Sequence, residues 1–317
     1  MGRFILRRIL QAAAVLLVMS FVIYNLIGLM PGDPIDIMIA SNPGATPEVV
    51  AALRKIYGLD QPLMFRYGHW LWAALGGDFG FSRVHSQPVL EVLAPALWQT
   101  CKLIFFSFTA AVVISFTLGI LASLKPGGWV DALVSLFAFA GISVPVFWLA
   151  LMMILVFAVQ LHWFPASGIA NVGDGGFMDH LRHLVMPVVT LTLFQTGGFT
   201  RFTRASMIET LRMDHVRTAR AKGAGEGRVV LVHAFRNALI PVVTVMALNF
   251  GSLFGGALLT ETMFAHPGMG KMIYDSILGN DYDLALTGLL FATLITLLSN
   301  LGADIAYGWL DPRITLA

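Results

Sequence analysis

The sequence predicts an all-α, polytopic membrane protein with six transmembrane helices. Hydrophobic residues make up 57% of the chain and charged residues only 12%, whereas soluble domains carry about 25% charged residues. The apolar residues gather in runs that are long enough, at about 1.5 Å per helical residue, to cross a hydrocarbon core of about 30 Å. These six runs cover residues 9–30, 97–124, 132–158, 184–205, 238–260 and 284–310.

The first run is interpreted as a retained transmembrane helix. Arg3, Arg7 and Arg8 precede it, as basic residues precede a secretory signal, but the apolar core of a signal peptide is only about 7–15 residues long. Pro31 and Pro34 then end the helix, because proline cannot continue the helical hydrogen bonding.

The polar region that follows is predicted to lie outside the membrane. Thr46 is suited to cap a helix that ends at Gly58. A second, amphipathic segment covers residues 62–75, where Trp70 and Trp72 suit a membrane interface.

The remaining five spans define the larger part of the chain. Pro145 interrupts the third span and Pro187 the fourth, which is tolerated where neighbouring helices supply partners for the freed carbonyls. We therefore divide the chain into residues 1–95, a transmembrane helix with an external amphipathic loop, and residues 96–317, a five-helix core.

Most basic residues fall on one side of the predicted membrane. Thirteen of the 20 Lys and Arg residues lie on the pieces that are cytoplasmic if both termini are cytoplasmic. Because cytoplasmic segments carry an excess of Lys and Arg, this bias predicts a multi-pass protein of the cell (inner) membrane with both termini inside.

The sequence contains no catalytic motif, and neither HExxH nor GxSxG occurs in it. The string Gly268-Met269-Gly270-Lys271 lacks the earlier glycine of a P-loop and is followed by Met272 instead of Ser or Thr. No nucleic-acid-binding motif is present either. We therefore predict a chain that is not an enzyme and that binds no cofactor of its own.

Asp179, His180 and His183 are the nearest approach to a metal site. Two histidines one helical turn apart on an external loop, without a third ligand of that kind, favour interface residues over metal ligands. Cys101 is the only cysteine, so no disulfide can form within the chain. No metal site is predicted.

The centres of the predicted spans carry essentially no ionisable residue. An ion- or proton-coupled carrier uses such groups, and their absence disfavours this function. An ion-coupled secondary transporter is therefore kept only as the alternative function, and a channel-like structural protein is the third possibility. Asn249 and Asn300 are predicted to hydrogen-bond between helices, with pore contact as the alternative. Gly251 and Gly255 indicate either ordinary helix packing or a helix that lines the pore or a subunit interface.

A basic stretch separates the fourth and fifth spans. Its spacing predicts a short helix from Asp214 to Lys222, with Gly223 as a left-handed C-cap. Gly225 and Gly227 are predicted to be loop residues before a second helical run over residues 229–239. By composition alone, such a loop is typical of a topological anchor.

The string RTARAKG, followed by HAFRNALIPVV, resembles the coupling loop of binding-protein-dependent ABC importer permeases, in particular their dipeptide/oligopeptide/nickel branch. The general family pattern is Glu-Ala-Ala-x-x-x-Gly. In the cytoplasmic loop 206–237, Arg217, Thr218 and Ala219 take the first three places and Gly223 the last. The chain therefore lacks the Glu and has the Arg-Thr-Ala form that is usual in this branch.

Further strings of the same branch recur in order outside the predicted membrane. They are PGDP, YGLDQPL and GDFGFS, and later a segment from Glu261 that is similar to the family's E-x-x-F-x-x-P-G-x-G signature. The resemblance implies an external loop near the pore mouth that faces a solute-binding protein. The residues predicted to face that protein are Asp78, Glu261, Phe264, Pro267 and Gly268.

The resemblance implies a type I ABC importer fold, with a methionine-importer-like core and an extra N-terminal span. The working complex would contain a second related permease chain, two ABC ATPase subunits that bind ATP and Mg, and a periplasmic or extracellular solute-binding protein. This chain would form half of the translocation pore. The solute stays open among di- or oligopeptides, glutathione-like molecules, nickel chelates and opines.

The resemblance assigns the coupling to the ATPase to one short helix. Ala219 and Ala221 would let this helix sit deep in a groove of the ATPase, and Gly223 would let the chain turn away. Its basic side chains would pair with carboxylates of the ATPase. The predicted coupling residues are Asp214, Arg217, Thr218, Ala219, Arg220, Ala221, Lys222 and Gly223.

Overall fold

The computed structural model describes residues 2–29, 61–171, 173, 175–251 and 253–310. The predicted helix between Thr46 and Gly58 and the PGDP string lie outside these residues. The described residues form twelve α-helices, which are α1 Gly2–Gly28, α2 Leu63–Leu75, α3 Val89–Leu124, α4 Trp129–Ser143, α5 Val146–Met153, α6 Phe177–Leu211, α7 Asp214–Ala221, α8 Glu226–Arg228, α9 Phe235–Phe250, α10 Leu253–Met263, α11 Met269–Leu278 and α12 Tyr282–Leu310.

Two π-helical segments and one small hairpin complete the secondary structure of the described residues. The π-helical segments are Ile154–Gln160, which continues α5, and Val229–Ala234, which joins α8 to α9. The hairpin pairs β1, Phe81–Ser82, with β2, Gln87–Pro88, in antiparallel register. The predicted all-α class is confirmed, and α2 confirms the predicted amphipathic segment.

Four helical stretches are long and apolar enough to cross a membrane, within the part of the chain that the structure describes. They are 5–28, 89–124, 226–247 and 282–305. The pair α4 and α5 passes the same test together, but the two helices are bent by 102°. The bend follows Ser143, and Pro145 is the N-cap of α5, so the predicted interruption at Pro145 is confirmed.

Helix α6 occupies the fourth predicted span with 35 residues, although its composition is more polar than that of the other spans. Charged residues and histidines towards its two ends lower its hydropathy, and threonines add polar groups in between. Thr196 and Thr203 donate to carbonyls one turn earlier, at 2.6 and 2.8 Å, and Thr192 donates to the carbonyl of Ser107 on α3 at 3.2 Å. Threonine hydroxyls bonded in this way are compatible with a helix inside a membrane protein. The helix continues through Pro187.

The described chain forms two compact units. The first contains residues 1–9, 98–271 and 295–317, and the second contains residues 10–97 and 272–294. The division at residues 95 and 96 that the sequence suggested stays a prediction.

In the second unit, α1 packs against the beginning of α12. Ile23 and Ile27 of α1 form a buried cluster with Ala285, Leu286 and Leu290 of α12. The hairpin is fixed in the same unit, because the carboxylate of Asp281 accepts hydrogen bonds from the Ser82 hydroxyl at 2.6 Å and from the Val84 amide at 3.1 Å.

In the first unit, α6 is the central helix. Leu191 of α6 packs with Leu103 of α3, Val146 of α5 and Ala257 of α10 in one buried cluster. Phe199, two turns further along α6, packs with Ala111 of α3 and Val242 and Met246 of α9 in another. The end of α6 leads directly into the predicted coupling helix.

Candidate functional site

The predicted coupling helix is present as α7, Asp214–Ala221, and Lys222 is its C-cap residue. Asp214 lies in its first turn and Arg220 in its last turn. This arrangement places an acidic side chain at the positive end of the helix dipole and a basic one at the negative end. The predicted helix is confirmed.

Gly223 ends α7 with a φ of +80°. The amide of Gly223 donates to the carbonyl of Arg220 at 2.9 Å, and the amide of Ala224 donates to that of Ala219 at 3.2 Å. Such a left-handed C-cap is favourable for glycine and costs other residues about 1–2 kcal/mol. The predicted C-cap is therefore confirmed.

The return to the membrane is more helical than the sequence suggested. Gly225 is the N-cap of α8, and Gly227 lies inside this helix, so the prediction that Gly227 is a loop residue is wrong. Helix α8 continues through the π-helical segment into α9. Only Lys222, Gly223, Ala224 and Gly225 separate α7 from the returning helix.

One face of α7 is buried in the chain's own core. Val216 is fully buried and Ala219 is 7% exposed. They pack with Met207 of α6 and with Val229 and Ala234 of the π-helical segment. Positions three apart share a helix face, so Ala219 lies on the same face as the buried Val216. The expectation that Ala219 lets α7 sit deep in a groove of another protein is therefore wrong for this residue, because this face packs against the chain itself.

The opposite face of α7 is exposed, and its charges are partly paired within the chain. Arg217 lies 3.4 Å from Asp214, and Arg220 donates to both carboxylate oxygens of Glu226 at 2.9 and 3.2 Å. Exposed pairs of this kind are weak and exchange easily for other partners. The remaining predicted coupling residues on this surface, which are Thr218, Ala221 and Lys222, are exposed.

A polar contact that the sequence analysis did not single out holds α7 to the returning helix. The Nε2 atom of His215 lies 3.2 Å from the carbonyl oxygen of His233 and 3.1 Å from Nδ2 of Asn237. Asn237 also donates to the carbonyl of His233 at 2.9 Å. His233 and Asn237 belong to the HAFRNAL string, which is the only part of the sequence that could have indicated this contact.

The external signature is built around the buried carboxylate of Glu261, at the end of α10. This side chain is fully buried. It accepts hydrogen bonds from the Thr100 hydroxyl at 2.5 Å and from the Lys271 amide at 3.1 Å. The Thr100 oxygen in turn accepts the amide hydrogen of Met269 at 2.7 Å. The carboxylate thus fixes the loop after α10 against α3.

Phe264 and Gly268 of the same signature are also buried. Phe264 packs with Ala150 of α5 and Met186 of α6. A Cβ atom on Gly268 would overlap the carboxylate of Glu261. The prediction that Glu261, Phe264 and Gly268 face a binding protein is therefore wrong, because these residues build the loop from within.

Two of the predicted external contact residues are exposed, namely Asp78 and Pro267. Asp78 accepts the amide hydrogen of Gly80 at 3.0 Å, which stabilises the turn before the hairpin. Ala265, next to the signature residues, is also exposed and has a φ of +47°. The contact role of Asp78 and Pro267 stays a prediction.

Burial shifts the titration of two groups in the external loop. Desolvation raises the pKa of Glu261 to about 7, although the hydrogen bonds from Thr100 and from the backbone of Lys271 favour the ionised form. Desolvation lowers the pKa of His266 to about 4, so its ring is neutral at pH 7.

The three residues considered as metal ligands make contacts of their own. Asp179 accepts hydrogen bonds from the amide and the side chain of Asn171, both at 2.6 Å. The Nδ1 atoms of His180 and His183 lie 3.1 and 2.9 Å from carbonyl oxygens of Gly176 and Asp179, one turn earlier. Within the described ranges, no three His, Cys, Asp or Glu residues are grouped as a metal ion would require.

Of the predicted pore or interface residues, Gly251 and Asn300 are neighbours, because a Cβ atom on Gly251 would lie 3.8 Å from Oδ1 of Asn300. Asn249 donates to the carbonyl of Val245 in its own helix at 2.8 Å, and Asn300 is exposed on α12. Gly251 lies against Thr296 of α12, whereas Gly255 faces open space. The two glycines thus have different surroundings, and their pore or interface role stays a prediction.

An apolar groove of about 480 Å³ opens between helices α3, α9 and α12. Its lining includes Phe108 and Phe116 of α3, Met246 and Phe250 of α9, and Ala303 of α12. Asn249, Gly251, Gly255 and Asn300 are not among the residues that line it.

The chain is similar over its full length to one class of membrane transport subunits. Residues 115–316 match the family of the binding-protein-dependent transport system inner membrane component, and residues 1–103 match the N-terminal model of such membrane components. The chain belongs to this family.

Relatives place the chain within the peptide branch of these permeases. It is 37% identical to the dipeptide transport system permease protein DppB of Alkalihalophilus pseudofirmus, with 98% of each chain covered. It is 38% identical to a putative peptide transport system permease protein of Brucella abortus and 36% identical to the glutathione transport system permease protein GsiC of Escherichia coli, with 99% of each chain covered.

The solved structures that are similar confirm the type I importer fold. The structure of the MetNI methionine ABC transporter, in inward-facing conformations, matches with a TM-score of 0.58 and 19% identity. This match covers 70% of this chain and 97% of the other. An amino acid ABC transporter with histidines matches with a TM-score of 0.51 and 14% identity, covering 71% and 94% of the two chains.

The first prediction concerns the cap of α7. In Gly223→Val, a β-branched residue must adopt the left-handed conformation, which displaces the turn after α7 at a cost of about 1–2 kcal/mol or more. Solute uptake should be lost while the amount of protein in the membrane is unchanged, as measured by transport assays and membrane immunoblots. Gly223→Asn should retain most uptake, because Asn tolerates this conformation. Normal uptake by the valine variant would contradict the role of the cap.

The second prediction concerns pH and Glu261. Because its pKa in the folded protein is about 7 and therefore above its ordinary value of 4.5, protonation stabilises the fold. The stabilising effect is complete below pH 4.5 and is lost as the pH rises through 7. The buried His266, whose pKa is lowered to about 4, contributes in the opposite direction below pH 6.5. The prediction therefore concerns the difference between two proteins: the unfolding temperature of the purified protein should fall relative to that of Glu261→Gln between pH 5 and pH 8. Glu91→Gln, at an exposed position, is the control. An equal slope in the Glu261→Gln variant would refute the prediction.

Proposed function

We propose that this chain is one of two permease subunits of an ATP-driven importer and that α7 transmits the force of a cytoplasmic ATPase to α6. The supporting observation is the attachment of α7. Val216 and Ala219 pack under the end of α6, and His215 contacts the returning helix. Because α7 is packed against α6 and bonded to the returning helix, a displacement of α7 also displaces these two helices, whereas a flexible loop would not transmit it.

The partners follow from the same proposal. The exposed face of α7, with Thr218, Ala221 and Lys222, contacts an ABC ATPase, and that subunit binds ATP and Mg. A second permease chain supplies the other half of the pore, and a periplasmic or extracellular binding protein delivers the solute. Both termini lie in the cytoplasm, which the distribution of Lys and Arg supports.

The solute is proposed to be a short peptide or a molecule with similar amide bonds. The named relatives are permeases of dipeptide, peptide and glutathione transport systems. These solutes share amide groups flanked by charged ends. No relative or structural observation favours the ion-coupled secondary transporter.

The third prediction concerns the energy source. The complex should be purified with its companion permease, ATPases and binding protein, and reconstituted in vesicles. Uptake of radiolabelled dialanine or glutathione should require ATP on the ATPase side and the binding protein on the other side. A proton uncoupler should have no effect. Uptake that persists without ATP and stops with the uncoupler would instead support an ion-coupled carrier.

The fourth prediction concerns the exposed face of α7. In Ala221→Trp, a large side chain replaces a methyl group at the proposed contact and should reduce co-purification of the ATPase with the permease at least about tenfold, which corresponds to about 1.4 kcal/mol. Ala132→Trp makes the same change at an exposed position in the first turn of α4 and should leave co-purification unchanged. Equal ATPase recovery with both variants would argue against docking at Ala221.

A further inference from the structure

An ion pair with two hydrogen bonds joins the beginning of α4 to the cytoplasmic part of α6. The guanidinium of Arg204 donates from Nε to Oδ1 of Asp131 at 2.5 Å and from Nη2 to Oδ2 at 2.7 Å. The Asp131 side chain is 6% exposed and that of Arg204 31% exposed. Paired, charge-assisted hydrogen bonds of this kind fix distance and orientation together.

The carboxylate of Asp131 is itself held in place. The amide of Gly127 donates to Oδ2 at 2.8 Å, and the hydroxyl of Ser135 donates to Oδ1 at 3.3 Å. Arg204 is therefore attached to a well-defined end of α4. Because burying such a pair costs desolvation energy, stability alone is a weak reason for its presence.

A second attachment joins the same two helices further along. A Cβ atom on Gly197 of α6 would overlap the carbonyl oxygen of Ala138 on α4, so the two backbones are in direct contact there. A Cβ atom on Gly141 would lie 3.1 Å from the carbonyl oxygen of Leu193. Two attachments at different heights prevent α4 from turning away from α6 about either one.

The motion of α4 would reach the external loop. Helix α5 follows α4 after the bend at Pro145. Ala150 of α5 packs in one buried cluster with Met186 of α6 and Phe264 of the external signature. Helix α4 is thus connected to the loop that Glu261 holds through the backbone at the bend and then through the side chain of Ala150.

We propose that Asp131 and Arg204 are positioning residues that fasten α4 to α6, so that α4 follows α6 when α7 is moved from the cytoplasm. This proposal rests on the proposed function. Arg204 suits the role because it lies seven residues before the end of α6 and only ten before the start of α7. Neither residue belongs to the coupling segment or to the external signature.

The test measures the movement of α7 and of α4 separately and needs no knowledge of the solute. Two doubly spin-labelled versions of the assembled complex are prepared with Cys101 replaced by Ser. One carries labels at Thr218 and Leu298, and the other at Leu136 and Leu298, all of which are exposed. Double electron–electron resonance measures the distance between the two labels in the nucleotide-free complex and in the complex trapped by ATP and vanadate.

In the parent complex, which has the Asp131–Arg204 ion pair, both distances should change on trapping. The changes should be ångströms, not tenths of an ångström. The double variant Asp131→Asn/Arg204→Gln removes both charges together, so that no buried charge is left without its partner. In this variant the Thr218 distance should still change. The Leu136 distance should change less than in the parent complex, because of the two attachments only the backbone contact at Gly197 and Gly141 then holds α4 to α6. Arg204→Lys, which keeps the charge but not the paired geometry, should give an intermediate value.

The matched control is Asp304→Asn/Arg8→Gln. It makes the same replacements at an Arg–carboxylate pair of 3.2 Å between α1 and α12 and should leave both changes intact. The proposal is overturned if the Leu136 distance changes equally in the parent complex and in the Asp131→Asn/Arg204→Gln variant, or does not change at all in the parent complex. A Thr218 distance that never responds to ATP would instead overturn the proposed function.

Discussion

The exclusion of water from the membrane is the constraint on which the rest of this structure depends. A polar group inside the bilayer has to find its partner within the protein. In helix α6, the hydroxyls of Thr192, Thr196 and Thr203 meet this requirement through bonds to carbonyls of α6 and α3, whereas the buried side chains of Thr190, Gln195 and Thr200 have no hydrogen-bond partner within the described residues. A helix with such a surface belongs at the centre of the helical unit, and its central position makes it suitable for carrying a displacement through the protein.

The same constraint shapes both ends of the proposed transmission path. At the cytoplasmic end, apolar burial of Val216 and Ala219 holds α7, and its charged residues stay on the outer face. At the external end, Glu261 is buried and satisfied by Thr100 and the backbone of Lys271. The signature residues are thus part of the internal support of the loop, and the exposed residues beside them form its surface.

Features set by local sequence could be predicted, whereas those set by distant contacts could not. The bend at Pro145 and the cap at Gly223 each depend on neighbouring residues, and both are confirmed. Of the six predicted apolar runs, the first, second and sixth overlap stretches that are apolar enough to cross a membrane, and the third is the bent pair; the fourth lies in α6, and the fifth is divided between α9 and α10. Helical spacing placed Val216 and Ala219 on one face but did not say whether this face points into the chain or away from it. The pairing of Asp131 with Arg204 joins residues 73 positions apart, which no local pattern contains.

The polar composition of α6 has a consequence for how the protein is made. A segment of such low apolar content partitions poorly into lipid by itself, while the helices that will surround it include the strongly apolar α3 to α5, which are synthesised earlier. We therefore expect that α6 enters the membrane more readily when α3 to α5 are already beside it. The order of synthesis thus places α3 to α5 before α6, whereas its neighbour α9 follows it.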